Sequence, residues 1–336
     1  MNKSRVIRIA VDAMGGDHAP YVVVEGALDA LRQTANRFEV ILVGDKNAIT
    51  TELQKYPGSS QSVRIEHAAE VVNFDDDALA PVRTKKQSSI AVGLQLHKSG
   101  EADAFVSAGH TGAVMSASTL LLGRIEGVGR PTIAATLPSE KGYCLLTDAG
   151  TNVDCRPQHL REFGIMASIF AEEILHYPKP RIGLLSFGEE KNKGNELTLE
   201  AYKLLEQSGL NFIGNIEGRD ILKGNVQVVV CDGFVGNVVL KFAEGMVELL
   251  RVRLKMYAKV SLWNKIRIAF AYGTLKKVLK EFDYQEYGGV PLLGVNGVTI
   301  IGHGKSSAKA IKNMILKAEE MVIKQVNIKI QHALAT

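Results

Sequence analysis

The sequence predicts an α/β fold: a doubly wound, mostly parallel sheet with helices on both faces, plus a protruding amphipathic helical pair. Three observations carry this. Short apolar, β-branched runs alternate with longer amphipathic ones along the whole chain. Polar, glycine-rich turns fall just after the short runs. One long helical stretch concentrates positive charge beside bulky apolar side chains.

The expected strands, in order, are 5–11, 38–43, 63–66, 103–107, 132–136, 143–147, 181–186, 211–214 and 226–231. The expected helices lie near 21–33, 46–55, 88–99, 111–122, 157–175, 194–207, 234–258, 262–281 and 306–326. The strand–helix rhythm runs through residue 145, where two domains would otherwise divide, so residues 1–336 are read as one α/β catalytic domain. With 336 residues and 46% hydrophobic content, the chain can bury a large core.

Composition excludes several classes. A net charge of +4 gives no sign of nucleic-acid binding. Cys144, Cys155 and Cys231 form no CxxC pair, which argues against a disulfide framework or structural zinc and for a reducing cytosol. Lys3, Arg5 and Arg8 precede Asp12, which interrupts any apolar region before signal-peptide length. Residues 104–123 lack Asp, Glu, Lys and Arg, yet they hold His110, three glycines and several hydroxyls. They read as strand, turn and helix of a buried core, and no transmembrane helix is expected.

Charge is concentrated in one place. Arg251 to Lys280 carries nine basic residues and no acidic one; taking +9 from the total of +4 leaves −5 for the rest. Leu254, Tyr257, Leu262, Trp263, Ile266 and Phe270 lie among these charges, and Ser261 can cap a second helix there. Residues 247–283 are therefore expected to form a basic amphipathic hairpin within the domain. Its plain reading is a core helix pair with a solvated face; its sharper reading is an anchor to an anionic membrane surface or an acidic protein.

Six polar turns are candidates for binding. They are Asp12 with Gly15, Gly16, Asp17 and His18; Ser107–Gly112 with Gly109, His110 and Thr111; and Asp148–Asp154 with Asn152. The others are Gly188–Asn195 with Lys193; Asp232–Asn237; and Gly302–Ser307 with His303, Gly304 and Ser306. Glycines let backbone approach a ligand, and helix N-termini offer free amides to an anion. Each turn alone is ordinary punctuation; six on one sheet edge would make a composite anion site. No GxGxxG follows the first strand, and "GKS" at 304–306 lacks the P-loop glycine because Thr299 stands there. Asp12, Asp17 and His18 give no metal-ligand spacing, and no metal or cofactor is expected. Cys155 lies between Asp154 and Arg156 with no identifiable base, so it reads as structural.

"IAVDAMGGDHAP", "VRTKKQSSIAVG", "SAGHTGA", "GRIEGVGRP", "GEEKNKGNELT", "NFIGNIEGRD", "VVVCDGFVGNVVLK" and "YGGVPLLG" occur in this order. Together they resemble the bacterial phosphate acyltransferase family of phospholipid synthesis, from residue 6 to about 325. The resemblance implies a fold akin to phosphotransacetylases and isocitrate-type decarboxylating dehydrogenases. It also implies a cytoplasmic homodimer associated peripherally with the inner face of the cell membrane. Such an enzyme makes acyl phosphate from acyl-acyl carrier protein and inorganic phosphate. Its product passes to a membrane glycerol-3-phosphate acyltransferase. Two departures stand out: His110 where the family usually has Asn, and Thr151 within a run that is usually Val-Gly-Ala-Asn.

The implied chemistry is direct attack of phosphate on a thioester. It needs positioning and an oxyanion site rather than a protein nucleophile. His18, Lys193 and Asn237 are the expected orienting residues. Backbone around Gly15–His18 and Ser107–Thr111 is expected to cradle phosphate or carbonyl, with Asn152, Asn195, Gly302, His303, Gly304 and Ser306 adding donors. Asp12 and Asp232 would fix the loops or orient His18, with helix capping the plain alternative. Rival readings are a phosphotransacetylase-like enzyme of acyl-coenzyme A, a related dehydrogenase and a non-catalytic membrane scaffold.

Overall fold

The computed structural model describes residues 5–58, 62–280 and 284–335. The first half of the chain forms β1 (Arg8–Asp12), α1 (Tyr21–Gln33), β2 (Glu39–Gly44), α2 (Lys46–Leu53), β3 (Val63–His67), α3 (Ala80–Arg83), α4 (Ser89–Lys98), β4 (Ala104–Ser107) and α5 (Thr111–Leu121). A hairpin of β5 (Thr132–Ser139) and β6 (Gly142–Thr147) follows, then α6 (Pro157–Glu173), β7 (Ile182–Leu185), α7 (Glu196–Glu206), β8 (Phe212–Ile216), α8 (Asp220–Lys223) and β9 (Val228–Val230). The chain then leaves the sheet as α9 (Gly233–Val260) and α10 (Leu262–Lys280). It returns through α11 (Tyr284–Tyr287), β10 (Val290–Leu293), β11 (Val298–Ile301), α12 (Ala308–Ile323) and α13 (Val326–Leu334).

All these strands join one sheet, in the order β3-β2-β1-β4-β11-β10-β5-β6-β9-β7-β8. Pairing is parallel from β3 to β11 and again from β6 to β8. Between those blocks β10 pairs antiparallel with β11 and β5, and β5 antiparallel with β6. The two blocks therefore run in opposite directions. The core lies on both faces: Val23, Leu28, Phe163 and Met314 pack under α1, α6 and α12, while Ile90, Leu94, Phe105 and Val114 pack under α4 and α5. The uncharged stretch 104–123 is β4 and α5 of this core, and among the described residues no helix is long and apolar enough to cross a membrane.

The expected helices and strands are present with shifted ends, and the sequence reading missed β10, β11, α13 and the four-residue helices α3, α8 and α11. Val290–Leu293 contains Pro291, and Gly294, Asn296 and Gly297 separate it from Val298–Ile301, so neither four-residue run rises above its turn chemistry. Gln325 at φ 53° breaks what reads as one helix into α12 and α13.

α9 has 28 residues, of which only Gly233 and Gly236 are buried. Those two let its first turn press against the loop after β6. A Cβ at position 236 would fall 1.8 Å from the Asp148 carbonyl oxygen, and one at 233 would fall 2.7 Å from backbone of Asn152. Gly236→Ala is therefore expected to lower stability by about 1–3 kcal/mol, the cost of overpacking against fixed backbone. An unchanged urea midpoint would show that the helix can shift.

Candidate active site: two loop clusters at the strand ends

Three turns meet beyond the ends of β1, β4 and β11. Asp12 closes β1 and is buried; its Oδ2 accepts from the Ser107 hydroxyl at 2.6 Å, and its Oδ1 from Met14 N at 3.1 Å. Ser107 in turn accepts from Gly109 N at 3.0 Å. Gly15 must be glycine, because a Cβ there would fall 2.5 Å from Asp12 Oδ2 and 2.7 Å from Gly109 N. Asp17 N donates to Gly304 O at 2.7 Å and Gly302 N to Ser107 O at 2.8 Å, which ties in the third turn. Burial raises the Asp12 pKa, and bonds from Ser107, Ser89, Met14 and Gly15 oppose it.

Several predicted ligand groups are therefore spent inside the cluster. Ser107 and Gly109 bond within it, and Ser306 accepts from His303 N at 3.2 Å. His110 is the N-cap of α5, its Nδ1 accepting from Ala113 N at 3.1 Å, and its ring stacks on Phe74 at 6.3 Å. Asp17, His18 and Thr111 are exposed on the rim. No bond engages the His18 ring among the described residues.

The second cluster lies beyond the ends of β6, β9 and β7. Asp148 is buried and accepts from Gly150 N at 3.1 Å, Thr151 N at 2.9 Å, and Asn152 N and Nδ2 at 2.8 Å each. Burial raises its pKa, and these donors oppose it. Asn152 also donates to Pro131 O at 2.8 Å, so its amide holds the loop. The Thr151 hydroxyl accepts from Ile133 N at 3.0 Å, a bond that alanine would not make. Asp232 is the N-cap of α9, accepting from Val235 N at 2.9 Å. Asn237 is exposed one turn on, beside Gly150, whose Cβ would sit 3.3 Å from Asn237 Oδ1. In the turn after β7, Asn195 caps α7 by accepting from Thr198 N at 2.9 Å. Lys193 there lies 5.8 Å from the Phe187 ring centroid, and no carboxylate pairs with it among the described residues.

The single edge expected for all six turns is not what forms. Strand direction reverses across β10 and β5, so the turns divide three and three. No hydrogen bond or ion pair joins the two clusters among the described residues. Sheet twist rotates the two blocks relative to one another. Neighbouring strands rotate by roughly 20–25°, so the six steps from β1 to β9 turn the strand direction by about 120–150°.

Thiols and metal groups are poor candidates. Cys155 Sγ donates to Asn152 O at 3.4 Å, and burial pushes its pKa up to about 11. Glu189, Glu217 and Asp220 bring carboxylate oxygens within 4.8 Å of one another, but Arg219 pairs with the first two and Lys223 with the third.

The sequence reading missed a basic group around Gly129. The Arg124 guanidinium donates to Gly129 O, Arg130 follows in sequence, and His159 Nδ1 accepts from Arg156 N at 3.2 Å. "GRIEGVGRP" contains two of these arginines, but only the fold brings Arg156 and His159 to them.

The hairpin forms as α9 and α10, and Ser261 Oγ accepts from Asn264 N at 3.1 Å, as its capping position predicted. Leu262, Trp263, Ile266, Phe270 and Tyr257 are exposed, Phe270 at 89%; Leu254 is half-buried. Residues 281–283, at the end of the expected hairpin, lie outside the described residues.

Comparison with known proteins places these features. The family described as "Fatty acid synthesis protein" matches residues 7–329. A phosphate acyltransferase of Pelotomaculum thermopropionicum is 52% identical over 316 residues, covering 94% of this chain and 92% of that one. Another, of Trichlorobacter lovleyi, is 48% identical over 329 residues, covering 98% and 95%. Among solved structures, a phosphotransacetylase from Streptococcus pyogenes is similar with a TM-score of 0.67 at 19% identity over 95% of both chains. One from Staphylococcus aureus gives 0.62 at 17% identity over 94% of both. The fold is thus the doubly wound α/β fold of phosphotransacetylases.

The cap geometry makes a specific prediction. His110→Asn restores a side-chain acceptor and is expected to leave the melting temperature unchanged. His110→Ala removes it at a cost of about 1 kcal/mol. Equal melting by differential scanning fluorimetry for both variants would show that the cap contributes nothing.

Proposed function

The chain belongs to the fatty acid synthesis protein family and is an acyltransferase, and on that premise we propose that it transfers a long-chain acyl group from acyl-acyl carrier protein to inorganic phosphate. Its relatives are named phosphate acyltransferases, which gives the coarse reaction, acyl transfer to phosphate in lipid synthesis. The finer reading, direct attack of phosphate on the thioester, rests chiefly on one observation. The loops gather exposed polar side chains but no activated nucleophile: the Cys155 thiol beside them is pushed up to about 11 and hydrogen-bonded to backbone.

In this reading the side chains divide by what they already bond. Asp12, Ser107, His110, Asp148, Asn152, Asn195 and Asp232 are committed to loops and helix starts. His18, Lys193 and Asn237 are not, so they are left to meet substrate, and the reading has the two clusters converge on it. Lys193 supplies positive charge for phosphate or for the oxyanion that develops on the carbonyl. Asn237 supplies an amide in the second turn of α9, beside Gly150. His18 lines the opposite side. Phosphate attacks the carbonyl carbon, the tetrahedral oxyanion collapses, and thiolate leaves with acyl phosphate as the other product.

The exposed hairpin supports two more parts of the proposal. Phe234, Val238, Phe242 and Met246 form an exposed stripe at helical spacing on α9, suited to a second copy of the chain in a homodimer. Beyond it the basic tip carries Trp263 at 73% exposure, with no carboxylate paired to its described basic side chains. We assign that tip to an anionic membrane surface, where each cation adds about 1 kcal/mol. From there the acyl phosphate reaches a membrane glycerol-3-phosphate acyltransferase.

Mixing the protein with a long-chain acyl carrier protein thioester and trapping with hydroxylamine should give free thiol and hydroxamate only when phosphate is present. Phosphate-independent products would sink the reading. Substituting His18, Lys193 or Asn237 by Ala should each lower turnover by roughly 10²–10³ with no loss of folding. Cys155→Ala should keep turnover within threefold; its abolition would indicate an acyl-enzyme. Flotation with anionic vesicles should be salt-sensitive and weakened by Leu262→Glu and Trp263→Ala, and normal flotation of both variants would remove the tip as the anchor.

A further inference from the structure

We propose that Arg124, Arg130 and Arg156, with the Nε2–H of His159, form the subsite that receives the inorganic phosphate acceptor. The inference deepens the acyl-transfer reading and rests on it. Its geometry centres on Gly129. Arg124 donates to the Gly129 carbonyl oxygen, and Arg130 is the next residue. The His159 ring lies on Gly129, where a Cβ would come within 3.0 Å of Cδ2 and 3.2 Å of Nε2. Glu162 is buried and accepts from Gly129 N at 2.8 Å, which clamps this loop onto α6.

The cluster has the charge and the donors of an anion site. The three arginines are exposed, and none pairs with a carboxylate among the described residues. Glu162 is committed to the Gly129 amide; Glu126 and Asp154 are exposed nearby in sequence but form no ion pair there. His159 Nδ1 accepts from Arg156 N, so its proton sits on Nε2, as a donor. Burial and then Arg130, Arg156 and Arg124 hold the His159 pKa below its ordinary value, which places each of the three cations near the His159 ring. Among the described residues Glu162, held by the Gly129 amide, is the one carboxylate beside Arg124, so the three cations outnumber it, and a phosphate dianion offsets the excess with bidentate bonds.

The location suits an acceptor. Arg130 adjoins Pro131, whose carbonyl accepts from Asn152, and Asn152 O accepts from Gly233 N at the start of α9. The basic group thus borders the Asp148 loop on which the start of α9, with Asn237, is seated. A phosphate group reaches the site either free or as part of the acyl donor, and the KM for each substrate distinguishes the two.

Titration calorimetry with inorganic phosphate alone tests the site without the reaction. Arg130→Gln and Arg156→Gln should each weaken phosphate binding at least tenfold and raise the KM for phosphate as much. The KM for the acyl donor should stay within twofold. Arg156→Gln removes a side chain with no bond of its own, so it separates binding from loop integrity, and circular dichroism confirms folding. Unchanged phosphate affinity in both folded variants overturns the assignment. A rise confined to the KM of the donor also overturns it, because the cluster would then serve the donor. Wild-type protein that binds phosphate yet releases no thiol in its presence would sink the acyl-transfer reading while leaving the site in place.

Discussion

The antiparallel insertion of β10 and β5 in the middle of the sheet is the constraint from which the candidate site follows. Two parallel blocks joined this way point their carboxyl ends in opposite directions within the sheet. Twist then rotates the two blocks relative to one another. The candidate loops accordingly form two clusters of three turns rather than one edge. The insertion also fixes where the hairpin sits. The chain completes β9, runs out along α9 for about 42 Å at 1.5 Å per residue, and returns through α10 to supply β10. The root of the exposed hairpin is thereby the first turn of α9, beside the Asp148 loop.

Each block uses a buried aspartate to shape its leading loop. Asp12 ends β1 and Asp148 follows β6, and each is followed by Ala and glycine-rich sequence. Burying a carboxylate costs several kcal/mol unless donors surround it. Here the donors are the amides of the same turn plus one side chain, Ser107 from β4 for Asp12 and the turn's own Asn152, anchored on Pro131, for Asp148. The result is a rigid backbone path built from short-range bonds. That explains why so many of the polar residues in these turns have no side chain left for a ligand, and why the three that do stand apart.

Local chemistry was legible in the sequence, and assembly was not. Alternation of β-branched and amphipathic runs marked β1 to β9 and the long helices, because each is long enough for its period to show. Ser261 and Asp232 read as caps because capping is a contact of three residues or fewer along the chain. β10 and β11 were hidden by Pro291 and by the glycines between them, yet these two strands decide the direction of half the sheet. Without them, six similar turns read as one edge. The arginines around Gly129 were missed for the same reason. Arg124 and Arg130 stand in sequence beside unremarkable neighbours, and only α6 docking on that loop through Glu162 makes a cluster of them.

The absence of an activated side chain then becomes a mechanistic statement. With its thiol pushed up to about 11, Cys155 is ionised at neutral pH in about one molecule in ten thousand. Cys144 is pushed up to about 12, and Cys231 is buried with its thiol held well above its ordinary range. Phosphate at the same pH is already an anion and needs no base to become a nucleophile. What such a reaction lacks in water is proximity and a place for the oxyanion. In the proposed reaction, a loop pair set by buried aspartates, with Lys193 and the arginines around Gly129 beside it, would supply both, the protein contributing position and field and the acceptor the chemistry.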